Sequence, residues 1–381
     1  MRNQKILFAA TVVKTHVMQF HLPCLQMLRG LGWETWVAAK NDYENPDDCR
    51  IPGCDHYIDL PFERLPWKKA NLTAYRRLKA LIEKEQFSIV HCHTPVGAMV
   101  ARLAARKARK QGTKVVYTAH GFHFFTGAPI INWLLYYPAE KLLAPLTDVL
   151  ITINQEDYVR ALKKLKARKI LYIPGVGIDT RKFYPDEALR AQKRRELGLQ
   201  QEDFVLLTVA EMTRNKNHAT VLRAIVALKG KPVYDHIRYL ICGRGEQWEN
   251  LKTLAETLGI QDRVSFLGYR SDAAELYRAG DLFCFMSYRE GLSVALMEAL
   301  CSGMCAVCTE IRGNTDLIQD GVTGVYCEND PAALAERISM LYEVPELRQR
   351  LGRQAAEQMG RYDQQAILEE MKKVYEDLQK T

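Results

Sequence analysis

The sequence predicts an α/β protein made of two Rossmann-like, doubly wound parallel-sheet domains facing a cleft. Three observations predict it. The chain has 381 residues, enough for two domains of ordinary size, each with its own buried core. Short apolar runs rich in Val, Ile and Leu alternate with amphipathic, helix-length segments, the pattern of strands covered on both faces. The alternation stops at Ile173-Pro174-Gly175-Val176-Gly177, a turn-forming stretch, and then restarts.

In the first half, strands are expected at 5–12, 34–39, 88–92, 114–118 and 148–153, with helices at 72–85, 98–110 and 155–167. In the second half, strands are expected at 204–210, 237–242, 263–267, 281–286, 304–309 and 324–326. Helices are expected there at 220–229, 248–258, 272–279, 293–302 and 331–342. The last segment, 364–378, places Ile367, Met371, Val374 and Leu378 on one helical face. The expected domains are therefore 1–175 and 176–363, with the helix in 364–381 packing back on the first.

Composition removes several classes. With 48% hydrophobic and 26% charged residues, the chain is neither disordered nor fibrous. No apolar run approaches the 18–20 residues of a membrane-spanning helix. The opening run Ile6 to Val13 is cut by Lys14 and lacks a small-residue cleavage site, so it reads as a first strand and not as a secretory signal. Ten cysteines in so long a chain read as reduced thiols of a cytoplasmic protein. Cys305 and Cys308 lie in a strand and point to opposite faces. His91-Cys92-His93 offers at most two ligands to one side, with no third nearby in sequence, so no metal is expected there.

The net charge of +8 is uneven: residues 1–180 hold 26 basic and 15 acidic side chains (+11), and residues 181–381 hold 27 and 30 (−3). The excess gathers at Lys68, Lys69, Arg76, Arg77 and Lys79, at Arg102, Arg106, Lys107, Arg109 and Lys110, and at Lys163, Lys164, Lys166, Arg168 and Lys169. Leu65, Trp67 and the run Ile130 to Tyr137 lie close by in sequence. Basic residues beside aromatics suit an anionic membrane surface. Solvated helix faces are the plainer reading. No nucleic-acid-binding motif is present, so nucleic acid is not an expected partner.

The strongest chemical signal is Glu290-Gly-Leu-Ser-Val-Ala-Leu-Met-Glu298, between an expected strand and helix. Gly291 allows a ligand close to the backbone. The amides of Leu292, Ser293 and Val294 would open a helix, a natural phosphate site. Eight residues of helix rise roughly 12 Å, which suits two stations along an extended ligand better than the carboxylate pair of a glycosidase. A second cluster is Glu211-Met-Thr-Arg214-Asn-Lys216-Asn-His218, where fixed cations could meet a developing negative charge. Gly243-Arg244-Gly245 reads equally as a phosphate-reaching turn and as a plain strand–helix connection. His120 closes an expected strand and precedes Gly121. His123 stands among Phe122, Phe124 and Phe125 in a loop read as packed or membrane-facing.

These segments together resemble the family 4 retaining glycosyltransferases of GT-B fold. The likeness runs over nearly the whole chain. It is carried by Phe266 to Tyr269, Gly280 to Phe283, Glu290 to Glu298, Ser302 to Met304, Arg312 to Asp316 and Asp320 to Gly324. Tyr117 to Phe125 resembles the subset that builds bacterial capsule and exopolysaccharide. The resemblance implies transfer of a sugar from a nucleotide diphosphate donor, with retention and without a metal or other cofactor. It implies that Glu298 holds the ribose, that Glu290 contacts the donor sugar and that the 292–294 amides hold the diphosphate. The base would lie near Tyr269 and Arg270, and His120 would contact the sugar or its phosphate. Lys216 matches the family's lysine. The family's arginine, five positions earlier, is Glu211 here, and Arg214 or another basic residue is the expected substitute.

The first loop lacks the family's glycine pair and carries Lys14, Thr15 and His16 instead. With His21, Thr94 and His123, Lys14 and His16 are the candidate acceptor-side residues. The expectation is a cytoplasmic enzyme, peripheral on the inner face of the plasma membrane. It would move a hexose or N-acetylhexosamine, from UDP-sugar by preference, to a lipid-linked saccharide in bacterial surface polysaccharide synthesis. A nucleotide-sugar 2-epimerase and a non-catalytic sugar-nucleotide-binding subunit are the alternatives.

Overall fold

The computed structural model describes residues 4–380. The chain divides into two compact units, Met1–Gly177 with Gln365–Thr381 and Ile178–Gln364.

The first unit is built on a seven-stranded sheet: β1 Lys5–Val12, β2 Glu34–Lys40, β3 His56–Asp59, β4 Ile89–His93, β5 Lys114–Ala119, β6 Val149–Thr152 and β7 Lys169–Tyr172. The order is β3-β2-β1-β4-β5-β6-β7, and every pairing is parallel. The central strands are buried on both faces, which is why they read as unbroken apolar runs. β3 and β7 were not expected. They are edge strands with exposed or half-buried side chains and carry no such run. Strand order reverses between β1 and β4, the switch point at which an open parallel sheet leaves a crevice at its carboxyl edge.

The helix Gln364–Lys380 buries Ile367, Met371, Val374 and Tyr375 in the core that holds Phe8, Val37 and Ile89. Tyr375 Oη lies 2.7 Å from His91 Nδ1 and 3.4 Å from Cys24 Sγ. The helix Ile130–Leu143 is pinned by a buried bidentate pair, Arg102 to Glu140, at 2.8 and 2.9 Å. Arg102 also lies over the Tyr117 ring. This corrects the grouping of basic residues. Arg102 is buried and structural, Arg109 is paired with Asp148, and Lys107 with Glu83. Phe122 and Phe124 are buried and stacked on one another, so this loop is packed, not membrane-facing.

The second unit holds six parallel strands: β8 Phe204–Val209, β9 Ile237–Cys242, β10 Val264–Gly268, β11 Leu282–Phe285, β12 Cys305–Cys308 and β13 Val325–Tyr326. Their order is β10-β9-β8-β11-β12-β13, with the switch point between β8 and β11. Asp281, just before β11, accepts the Val205 amide at 2.8 Å and pairs with Arg190 and Arg194, tying the two central strands together at their amino ends. All ten cysteines are free thiols, and most are buried. Among the described residues no helix is long and apolar enough to cross a membrane.

Candidate active site

In the second unit the loops after β8 and β11 flank the switch point and are laced together. Tyr288 donates its amide to the Asn215 carbonyl at 2.9 Å, and Asn215 Nδ2 donates to the Arg289 carbonyl at 3.0 Å. Lys216 Nζ meets Glu290 Oε1 at 2.6 Å and sits over the Phe285 ring. The two predicted clusters are therefore one site. Arg312 Nε donates to the Glu290 carbonyl at 3.0 Å, so the loop after β12 holds the same turn from its other side. Arg312 belongs to one of the family-like segments of the sequence, yet nothing in its spacing signals this contact.

The backbone here is tight. A Cβ on Gly313 would come within 2.4 Å of the Gly291 carbonyl oxygen, and one on Gly243 within 2.0 Å of the Ala210 oxygen. Both glycines have positive φ, +83° and +146°. Gly243 thus serves close loop packing between β8 and β9. Arg244 is exposed beside Gly268, and its carbonyl accepts the Met212 amide at 2.9 Å.

The helix Val294–Cys301 begins at the crevice. Ser293 caps it, its hydroxyl accepting the Leu296 amide at 3.3 Å. The amides of Leu292, Ser293 and Val294 meet no acceptor among the described residues. Three unpaired donors at a helix start form an anion site, with the helix dipole adding its partial positive charge.

Glu298 projects from the next turn. Its Oε2 accepts the Tyr277 hydroxyl at 3.0 Å. Burial raises its pKa from 4.5 to about 7, against the opposing pull of Tyr277 and of Lys182. Tyr277 is buried on the helix Ala273–Ala279; its register gave no hint of a site. A largely buried carboxyl group with a raised pKa, already accepting one hydroxyl, is a candidate for accepting further hydroxyl hydrogen bonds.

The remaining donor-side candidates are placed unequally. Tyr269 is exposed at the end of β10. Arg270 is bound to Asp272 at 2.7 and 2.5 Å, and Asp272 also holds Lys193 at 2.9 Å. Glu211 and Arg214 are exposed, and neither side chain has a partner among the described residues.

In the first unit, the acceptor-side candidates and His120 gather at the carboxyl edge beside its own switch point. His16 follows β1 in a five-residue π-turn, 13–17, and His21 opens the next helix. His93 ends β4 and His120 follows β5. The His16 and His21 Nε2 atoms are 3.2 Å apart, and His93 Nδ1 lies 3.4 Å from His120 Nε2. Burial lowers the pKa of all four, His120 to about 4, so all are neutral at physiological pH. Thr94 is committed to structure: at φ +61° its hydroxyl lies 2.6 Å from that of Thr11 and accepts the Thr11 amide at 3.1 Å. Lys14 is exposed over the Tyr43 ring, its amide held by Asp42. His123 stacks on Tyr136.

Two doubly wound units, one with three unpaired amides at a helix start beside a lysine–glutamate pair, fit the GT-B class of glycosyltransferases. Comparison with known proteins agrees. Residues 24–175 match the glycosyl transferase 4-like domain and residues 190–358 the glycosyl transferases group 1. A protein of Bacillus subtilis (strain 168) that carries the glycosyltransferase name EpsD is 42% identical over 377 residues, covering 98% of this chain and 96% of its own. The Escherichia coli UDP-Gal:α-D-GlcNAc-diphosphoundecaprenol α-1,3-galactosyltransferase is 31% identical over 254 residues, 66% of this chain and 65% of its own. The solved structure of Anabaena HepE with UDP-glucose superposes with a TM-score of 0.79 over 98% of this chain and 99% of that one, at 18% identity. The chain belongs to the family 4 glycosyltransferases of GT-B fold.

Proposed function

We propose that this protein transfers a hexose or N-acetylhexosamine, with retention, from a UDP-sugar to a lipid-linked saccharide in bacterial surface polysaccharide synthesis. The observation that carries the reading is the second unit's crevice, with three unpaired amides at a helix start, Lys216 and Glu290 facing across the switch point, and Glu298 one turn further. In this reading the amides and Lys216 hold the diphosphate. Glu298 accepts hydrogen bonds from the ribose, and Glu290 and His120 serve the sugar. The similarity to a galactosyltransferase named for a UDP-sugar and a diphosphoundecaprenol acceptor supports the donor and acceptor classes. So does the likeness in fold to a chain solved with UDP-glucose.

The bond from the anomeric carbon to the diphosphate oxygen breaks as the acceptor oxygen joins the same face of that carbon. The acceptor's proton passes to the departing phosphate oxygen. Negative charge grows on the diphosphate, and Lys216 and the helix amides stabilise it where it forms. Lys216 is spent on Glu290 before the donor arrives; the donor phosphate replaces that partner. Arg214, exposed and unpaired in the same loop, supplies the second cation in place of Glu211.

A panel of nucleotide sugars tests the reading by thermal shift and by slow release of free nucleotide diphosphate. One UDP-sugar is expected to stabilise the protein and to be hydrolysed. Lys216→Ala should cut that turnover about 10²–10³-fold, the usual cost of losing one charge-stabilising donor. Arg214→Ala should cut it by at least about tenfold. Unchanged turnover in both variants, or no response to any donor, rejects the reading.

A further inference from the structure

We propose that a pocket at the amino edge of the second sheet, walled by Arg190, Arg278, Ser302 and Arg348, binds a small molecule carrying a phosphate group. The pocket has a volume of about 250 Å³. It lies where β11 and β12 begin, beside Asp281 and Cys305, so it is on the edge of the sheet opposite the crevice. Drug-sized ligands fill roughly 300–1,000 Å³, so this volume suits a phosphorylated monosaccharide better than a whole nucleotide sugar.

The charge inside the pocket is positive. Arg190 is paired with Asp281 at 2.7 Å, but Arg194 shares the same carboxylate at 3.2 Å. Arg278 is buried and donates only to the carbonyls of Tyr184 and Lys182, at 2.9 and 2.7 Å. Arg348 donates to the Leu341 carbonyl at 2.5 Å and lies over the Phe204 ring. Neither Arg278 nor Arg348 has a carboxylate partner among the described residues. Burial draws the Arg348 pKa below its ordinary value, against the opposing pull of Asp281. The remaining acids do not restore the balance: Asp186 caps a helix by accepting the Leu189 amide at 2.8 Å, and Glu187 is exposed at the rim. A phosphate dianion takes several donors at once and is the group that guanidinium forks match best.

Ser302 points to the same ligand independently. It is 6% exposed, and its hydroxyl has no hydrogen-bond partner among the described residues. Buried hydroxyls without a partner are rare, and this one lines a pocket in which a phosphate oxygen would accept its proton. The wall is also rigid. A Cβ on Gly352 would come within 2.1 Å of the Gly303 carbonyl oxygen, so the helix Pro345–Gln358, which carries Arg348, is seated directly on the turn that follows Ser302. The helix Val294–Cys301 begins at the free amides of the crevice and ends at Ser302. The two anion sites thus lie at opposite ends of one helix, about 12 Å apart along its axis.

The test uses the full chain with saturating UDP to fill the crevice, and titrates glucose 1-phosphate and inorganic phosphate by calorimetry at constant ionic strength. One site per chain is expected for the sugar phosphate. Arg348→Gln and Ser302→Ala should each weaken that binding about tenfold or more, the usual loss when one hydrogen bond to a charged group goes. Ser302→Ala also removes an unpartnered buried hydroxyl, so without ligand it should melt no lower than the parent while gaining less from the sugar phosphate. A hydroxyl that served packing alone would not divide those two readouts. Lys216→Ala, which alters the crevice, should bind glucose 1-phosphate at the pocket as the parent does. Inorganic phosphate binding as tightly as the sugar phosphate would make phosphate the whole recognised group, and weaker binding would add the sugar; either supports the pocket. Absence of binding, binding undiminished in both pocket variants, or binding lost in Lys216→Ala and kept in the pocket variants overturns the proposal. The comparison of the three variants also runs without UDP, so the outcome for the pocket is independent of the transferase reading.

Discussion

Glu298 is a buried carboxyl group whose ionisation costs stability. Its pKa in the fold is about 7 against an ordinary 4.5, so between those pH values the native state holds a proton that the unfolded chain has released. Stability therefore falls as pH rises through that window, by about 3 kcal/mol in all, and stays lower above it. Glu298→Gln removes the charge and keeps a hydrogen-bonding partner for Tyr277. At pH 8 it should melt several degrees higher than the parent, at roughly 2–4 °C per kcal/mol. At pH 5 the two should melt alike. The same variant should bind UDP more weakly at pH 8, because a neutral amide is a poorer acceptor for ribose hydroxyls than a carboxylate. Thermal melts at the two pH values and UDP titration check both halves; a variant that is less stable at pH 8 contradicts the assignment of strain to the buried charge. Glu290, Glu298 and Lys216 were legible in sequence as residues. That Lys216 holds Glu290, and that Tyr277 and Arg312 complete the setting, was not, because those contacts join positions 21 to 74 residues apart.

At the scale of elements, the site is a stack of turns packed backbone on backbone. Gly313→Ala would press a Cβ into the Gly291 carbonyl, and Gly243→Ala into that of Ala210. Each should destabilise the protein by about 2 kcal/mol or more and weaken donor binding, because the turn that moves adjoins the proposed phosphate site. Gly259→Ala is the internal comparison. It has a φ of +64° but open space around its Cβ position, so it should lose only about 1 kcal/mol and bind donor normally. Denaturant melts and donor titration of the three variants separate crowding from backbone strain. The glycines were visible in sequence as turns, but whether a glycine serves a turn, a ligand or a neighbouring loop depends on what lies against it. Strands showed the same limit. Continuous apolar runs marked the central strands, whereas His56–Asp59 and Lys169–Tyr172 gave no signal because an edge strand buries less. His16, His21, His93 and His120 are scattered over 105 positions and meet only because β1, β4 and β5 are neighbours in the sheet.

For the whole molecule, the uneven charge acquires a physical setting. The first half carries +11, and its unit exposes large apolar side chains: Ile130, Ile131, Leu134 and Leu142 on the helix Ile130–Leu143, and Trp67 elsewhere. The same helix turns Trp133, Tyr136 and Tyr137 toward the core and is fixed by the Arg102–Glu140 pair, so its outward side chains are held out by a rigid element. The proposed lipid-linked acceptor would bring the enzyme to a membrane surface, and this face offers exposed apolar side chains on a positively charged unit. In the sequence, the basic excess falls in three clusters. With Arg102 buried and Arg109 paired, the second cluster offers fewer free charges, and the helix Ile130–Leu143 adds exposed apolar side chains. The full chain should therefore co-sediment with vesicles containing phosphatidylglycerol and leave phosphatidylcholine vesicles largely unbound. Binding should weaken from 0.1 M to 1 M salt as the screening length falls from about 10 Å to about 3 Å. Ile131→Asp with Leu134→Asp should lower vesicle binding at least about tenfold, since two apolar anchors are lost and two repelled charges are added. Because both side chains point to solvent, the variant should fold and hydrolyse donor like the parent. Retention of full vesicle binding by that variant would move the docking face elsewhere; binding that ignores both salt and lipid charge would remove electrostatics from the account.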